Sequence, residues 1–516
     1  MRRLSDHGFV AYGGLHKRRE VFLDTFDWRL FAEAGCLVES ASGSRRQLEW
    51  LSFPTGRCLA TVRVAGTPRF AADLPEGVMA GQVRHFLDCR ALVPLALRQL
   101  RWREFRLYDH RQKTVLRLLV EESAVERPEF IYAGAGERQA LPAAIRLLPI
   151  KGYDEKLAQA VHWLKNELGL RPLDKGFPEL VLQAAGHRPG SYSSKVDLKL
   201  SSKMTAEDAT RVLLETLLKA QVVNEAGVTA DIDSEFLHDF RVAIRRTRSA
   251  LSQLKGVYPD EIMAPYRAAF GWLAGATGPT RDLDVYLLAL PRYEQLLSPE
   301  FRPGLAALRL FIMRRRAEGF KKLKDVLASE RYAKFKRQWH QFLTEESLMF
   351  KGPMSDIPAH ELAGLKIWRL YKKLLKGGRA ITNASPATDL HELRKVAKKL
   401  RYMFEFFKSL YGQEEVAAIL KALKMLQQNL GDIQDYEVQA DNLTDMASGL
   451  EKSGAGSAQA FMAIGMLTAH LMDMQAKARA EFAAVFAEFD SGKMHHLFCK
   501  LFKDDAVAGA STGISA

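Results

Sequence analysis

"LHDFRVAIRRTRSALSQL", residues 237–254, and "LHELRKVAKKLRYMFEFF", residues 390–407, place a histidine and a run of cations at matching positions. His238 and His391 are separated by 391 − 238 = 153 residues, and the same offset relates Tyr258 to Tyr411, Gly278 to Gly431 and Asp282 to Asp435 without a gap. "LAGATGPTRDLDVY" (273–286) thereby overlies "LQQNLGDIQDYEVQ" (426–439). The period is far longer than that of a solenoid. It predicts two similar helical halves, related by a pseudo-twofold axis, within one domain.

Both quoted stretches read as helices. At about 100° per residue, positions 0, 3, 7 and 10 of a helix fall within an arc of about 80°. His238, Arg241, Arg245 and Arg248 therefore share one face, with Arg246 at its edge. His391, Arg394, Lys398 and Arg401 share the equivalent face, with Lys399 at its edge. Phe240, Val242, Ala243, Ile244 and Leu251 in one helix, and Leu393, Val396, Ala397, Leu400 and Phe404 in the other, form the apolar sectors that must pack. A basic helix face is most often a solvated one. Here each run is read as offering one carboxylate, Asp239 or Glu392, which sits off the stripe and does not neutralise it in the i,i+4 manner. The doubled stripe is therefore read as an anion-binding surface.

The whole chain is biased the same way. Its 516 residues carry 75 Lys and Arg against 61 Asp and Glu, a net charge of +14 that favours polyanionic partners. At this length more than one domain is expected. No apolar segment reaches a membrane span: "AFMAIGMLTAHLMDM" (460–474) is short and broken by His470 and Asp473. The basic start is followed by no apolar run, so no secretory signal is expected. Cys36, Cys58, Cys89 and Cys499 lie far apart, which argues against a zinc site or a disulfide framework and fits a reducing cytoplasm.

Organisation changes along the chain. Up to about residue 150, short β-forming runs such as "QLEWLSF" (47–53), "LRWREFRLYD" (100–109) and "TVLRLLVEE" (114–122) predict antiparallel hairpins, closed by a helix from Tyr153 to about Leu168. The reading is an α+β chain: a β domain over 1–170, a Pro- and Gly-containing linker over 171–204, an all-α bundle over 205–500 and a flexible tail over 501–516. The two halves of the bundle fall at about 205–350 and 360–500.

The H-x-x-R-x-x-x-[RK]-[RK]-x-R pattern, twice present and each time followed by [LT]-G-x-x-x-D-x-x-V, resembles the CHAD family, the conserved histidine α-helical domain. That resemblance implies a bundle of two helical halves that binds inorganic polyphosphate along a basic groove, without known catalysis. Carried over by motif position, the binding residues are His238, Arg241, Arg245, Arg246 and Arg248, and His391, Arg394, Lys398, Lys399 and Arg401. Arg314, Lys321, Lys322, Arg369, Lys372, Lys373 and Arg379 are candidates for extending the groove. Asp282 and Asp435 are expected to cap a following helix or to orient stripe arginines.

The front of the chain, from "VFLDTFDWRLFAEAGCLVES" (21–40) to "LLPIKGYDEKLAQAVHWLKNEL" (147–168), resembles a CYTH domain, which implies an antiparallel β tunnel that hydrolyses triphosphates with a divalent metal. The E-x-E-x-K strand that marks that family is absent from the start, and Glu121 and Glu122 are strand neighbours that must face opposite sides. A degenerate tunnel without catalytic residues, metal or cofactor is therefore expected. The resulting expectation is a cytoplasmic polyphosphate-binding protein, associated with polyphosphate granules and not with membranes. The alternatives are a metal-dependent triphosphate or polyphosphate hydrolase and a nucleic-acid binder; the latter is disfavoured because Tyr402 is the only aromatic interleaved with the stripes.

Overall fold

The computed structural model describes residues 2–53, 55–129, 136–173 and 176–511. They form two compact units, Met1–Ser194 and Lys195–Ala516.

The first unit is built on an antiparallel sheet of eight strands: β1 (Phe9–Thr25), β2 (Gly35–Ser42), β3 (Arg45–Ser52), β4 (Cys58–Arg63), β5 (Leu92–Tyr108), β6 (Thr114–Glu126), β7 (Gln139–Ala140) and β8 (Ala144–Pro149). The strand order is β4-β3-β2-β1-β5-β6-β7, with β8 also paired to β6. Helices α1 (Arg2–Asp6), α2 (Arg29–Ala32), α3 (Val78–Leu87), α4 (Asp154–Asn166) and α5 (Phe177–Ala184) accompany it. Strand alternation explains the layering. Val21, Leu23, Leu37, Leu48 and Trp50 point to one side and form a core with Met79, Val83 and Leu87 of α3. Phe105, Leu116 and Leu118 form another with Ala160, Trp163 and Leu164 of α4.

The alternate positions carry charge. Arg98 is 1% exposed and donates to Glu20 and Glu121, 3.0 Å away in each case. Arg146 reaches Glu121 at 2.7 Å, and Arg18 reaches Glu49 at 2.5 Å. Glu121 is buried and Glu122 exposed, as the strand period requires.

Residues 171–204, read from their prolines and glycines as a linker, are instead built into both units. Within them α5 buries Val181 and Leu182, and the Phe177 ring lies 3.9 Å from the Arg98 guanidinium. Val196, Leu198 and Leu200 are buried in the second unit, where the Leu200 N–H donates to Ser409 Oγ at 3.1 Å. Their alternation over five residues is an extended-chain signal.

The second unit comprises α6 (Ala206–Thr229), α7 (Ser234–Gln253), α8 (Asp260–Leu296), α9 (Leu305–Ala328), α10 (Glu330–Gln341), α11 (Ala359–Arg379), α12 (Ala387–Phe407), α13 (Gln413–Lys452), α14 (Ala458–Phe489) and α15 (Gly492–Ser511). The first residues of α6, α7, α8 and α9 recur as those of α11, α12, α13 and α14 at the one offset of 153 that separates the histidines. The halves meet at equivalent positions: Thr205 and Pro358 form an antiparallel bridge, and the Tyr286 hydroxyl donates to the Gln439 carbonyl at 3.2 Å. Contacts between equivalent residues are what a twofold axis produces where it crosses the chain. Asp233 caps α7, accepting from the N–H groups of Glu235 and Phe236. The predicted apolar sectors are inside: Phe240, Ala243, Ile244, Leu400 and Phe404 are buried.

The tail expected from residue 501 is helical in its first part: α15 continues to Ser511, and Phe502 is buried against Phe404 and Tyr411. Residues 512–516 lie outside the described residues. Among the described residues no helix is long and apolar enough to cross a membrane.

Candidate functional site

The two stripes lie on α7 and α12, which pack on each other near the pseudo-twofold axis. Arg245 of α7 donates through Nε to the Tyr402 hydroxyl of α12 at 2.6 Å. Arg245 also opposes the charge of Lys398, so the two stripes meet where α7 and α12 pack.

The deeper guanidinium groups are anchored by helices α8 and α13. Arg241 Nη1 donates to the Ala274 carbonyl at 3.0 Å and to Thr277 Oγ1 at 2.8 Å, both on α8. Arg394 Nη2 reaches Asp435 of α13 at 2.9 Å. The motif glycines lie against these groups: a Cβ on Gly278 would stand 3.4 Å from Arg241 Nη1 and one on Gly431 3.8 Å from Arg394 Nη2, both ordinary contact distances. Burial, with Arg245, Arg281 and Arg248 nearby, holds Arg241 below the usual arginine range. Asp282 is raised by its burial and pulled back by Arg241 and Arg281. Asp282 and Asp435 both lie inside long helices, so the capping role fails and the orienting role remains.

Lys398 sits at the centre. Burial first, and then the charges of Arg394, Arg245 and Arg401, push it down to about 8. Cations from both halves thus converge on one amine, against their mutual repulsion. His391 is exposed, and its Nδ1 lies 2.6 Å from Gln434 Oε1 of α13. An amide oxygen only accepts, so Nδ1 donates and Nε2 remains for solvent or ligand.

Two stripe residues meet further partners. Arg246 pairs with Glu405 of α12 at 3.1 Å, and Glu405 also accepts from Arg401 Nε at 2.7 Å. Glu405 belongs to the run 390–407 and stands one helical turn after Arg401, so this stripe does have an i,i+4 acidic partner. Lys399 faces away from Arg245 and Arg394, and its charge is opposed by Lys373 and Lys395. The reason is helical: one residue turns the side chain by about 100°.

The proposed extensions scatter. Arg379 is held by Asp490 at 2.6 Å and is a surface ion pair. Arg314, Lys321 and Lys322 are exposed on α9, which packs on α8, α13 and α14. Arg369, Lys372 and Lys373 are exposed on α11, on the Lys399 side of α12, with Lys372 over the Trp368 ring at 5.9 Å. Tyr402, Glu405, Gln434 and Thr277 complete the tract; of these only Tyr402 stood out beforehand, as the one aromatic in the stripes.

Comparison with known proteins bears on the same region. Two uncharacterized proteins from two strains of Mycobacterium tuberculosis are each 24% identical over 324 residues, which cover 59% of this chain and 60% of theirs. The match thus spans about three-fifths of the length of these relatives. The crystal structure of the CHAD domain from the plant Ricinus communis is 26% identical, with a TM-score of 0.49, covering 58% of this chain and 96% of that one. PptA from Streptomyces chartreusis is 15% identical, with a TM-score of 0.43, covering 55% of this chain and 99% of that one. The CHAD family matches residues 212–444, the stretch that holds both histidine helices and both glycine motifs. This chain therefore carries a CHAD domain, preceded by an antiparallel sheet domain compatible with, but not identified as, the CYTH type.

Proposed function

We propose that the helical unit binds inorganic polyphosphate along the tract formed by His238, Arg241, Arg245 and Arg248 with His391, Arg394, Lys398 and Arg401. Lys398 is the observation that carries this reading. Around this amine, pressed to about 8 by burial and three arginines, four cations meet, among the described residues, only the carboxylates of Asp435 and Glu405. A chain of phosphates relieves that repulsion along its whole length. Arginine suits the task because its planar fork matches phosphate oxygens, and no base readout is required. With Nδ1 committed to Gln434, His391 leaves Nε2 for the ligand.

The reading includes a cytoplasmic location, association with polyphosphate granules and no catalysis by this tract. The sheet domain is read as non-catalytic because, among the described residues, its buried carboxylates Glu20, Glu39, Glu104 and Glu121 are engaged by arginine and Asp24 by backbone N–H groups. Competition among long polyphosphate, single-stranded RNA, duplex DNA and triphosphate tests the ligand. Long polyphosphate should win, with affinity falling steeply as salt rises. Replacing Arg241, Arg245, Arg394 and Lys398 together by alanine should lower affinity by about a hundredfold or more while helicity is kept. Unchanged binding by that variant would remove the tract from the ligand's path.

A further inference from the structure

We propose that the anion-binding surface of this protein does not end with the paired stripes but turns around α12 onto α11, where Lys373, Lys395 and Lys399 receive the continuation of a long phosphate chain. The inference rests on the function proposed above and adds to it a second contact region, confined to one half of the bundle.

Three observations lead there. Lys399 and Lys395 of α12 and Lys373 of α11 are close enough to oppose one another's charge, and half-buried Lys399 is held below the usual lysine range, first by burial and then by the other two amines. Glu392, 2.7 Å from Lys395, is the carboxylate of the cluster and leaves it net positive. The cluster is also continuous with the tract. At about 100° per residue, Arg401, Arg394, Lys398, His391, Lys395 and Lys399 sweep an unbroken arc of about 160° around α12, with exposed His391 in the middle. A flexible polymer leaving Lys398 passes His391 and meets Lys395 without crossing an apolar gap.

The third observation is the failure of the internal symmetry. At the offset of 153, Lys373, Lys376 and Lys395 correspond to Ala220, Val223 and Val242, and Lys399 to Arg246, which Glu405 neutralises. Val223 is 43% exposed, so the first half folds with uncharged residues at three of these four positions. The fold does not require those charges. Clustered amines that the fold does not require, lying beside a polyanion tract, are accounted for by a ligand.

The test uses the full chain with two probes: a polyphosphate short enough to fill the stripes alone and one of several hundred phosphates. Lys373→Gln, Lys395→Gln and Lys399→Gln combined should weaken the long chain by about tenfold, since losing a linked second contact removes its avidity. Binding of the short chain should be unchanged, and the corresponding Lys→Arg triple variant should restore the long-chain affinity. The Arg241, Arg245, Arg394 and Lys398 alanine variant should lose both probes. Equal long-chain affinity in the wild type and the Gln variant would overturn the second contact while leaving the stripes in place. Failure of the wild-type chain to bind either probe would overturn both readings. If the Gln variant lost binding to phosphatidylserine vesicles and kept its long-chain affinity, the cluster would be a membrane contact and the proposal would fall.

Discussion

Arg245 Nε lies 2.6 Å from the Tyr402 hydroxyl, and this hydrogen bond ties the basic stripe of one half of the bundle to that of the other. It aims the guanidinium along the tract without neutralising it, because tyrosine offers an oxygen but no charge. Tyr402→Phe should cost about 1 kcal/mol of stability. It should also weaken polyphosphate binding by about threefold through the loss of a pre-aimed donor. Denaturant melts and binding isotherms of the same preparation check both effects; stability loss without affinity loss would make the bond purely structural.

Lys398 sets a pH dependence. Its folded value of about 8 lies below its ordinary 10.5, so the unfolded chain holds more protons between those limits. The penalty is present in full below about pH 8 and is relieved as pH rises toward 10.5, so this group makes stability increase over that window. Bound phosphate favours the ammonium, so affinity should move the opposite way and fall as pH climbs above about 8. Lys398→Gln should raise stability near pH 7 by about 1 kcal/mol after solvent screening, lower affinity, and flatten both pH profiles.

Glu405 bonds Arg246 and Arg401 at once, which makes it the brake on the tract's charge. Glu405→Gln should strengthen polyphosphate binding by roughly threefold at low salt and lose that advantage at high salt. It should also loosen the α7–α12 contact, measurable as a lower melting temperature without ligand.

In the sheet domain, Arg98 is enclosed by Glu20, Glu121 and the Phe177 ring. Arg98→Met leaves two buried carboxylates without their shared partner and should destabilise that unit by about 3–5 kcal/mol. The effect should appear in the melting of the sheet and leave polyphosphate binding by the helical unit intact. Lost binding would mean that the sheet domain contributes to the ligand site.

The duplication was legible because it depends on order along the chain: one offset relates the histidines, the glycines, the aspartates and the starts of four helix pairs. The stripes were legible for a similar reason, since helix period alone puts His391, Arg394, Lys398 and Arg401 on one face. Strand period likewise separated Glu121 from Glu122. Local geometry repeats at fixed intervals, so residue spacing reports it directly.

What neighbours do to a side chain has no such interval. Arg246 and Lys399 occupy equivalent positions and part company because Glu405 comes from α12 in one case and Lys373 from α11 in the other. Gly278 and Gly431 lie inside helices, each beside a guanidinium from the adjoining helix. Arg245 meets Tyr402 across 157 positions, and no local pattern encodes that meeting. Periodicity along the chain was enough to place the cations on their helices; which of them converge, and which are neutralised, was set by packing between helices far apart in sequence.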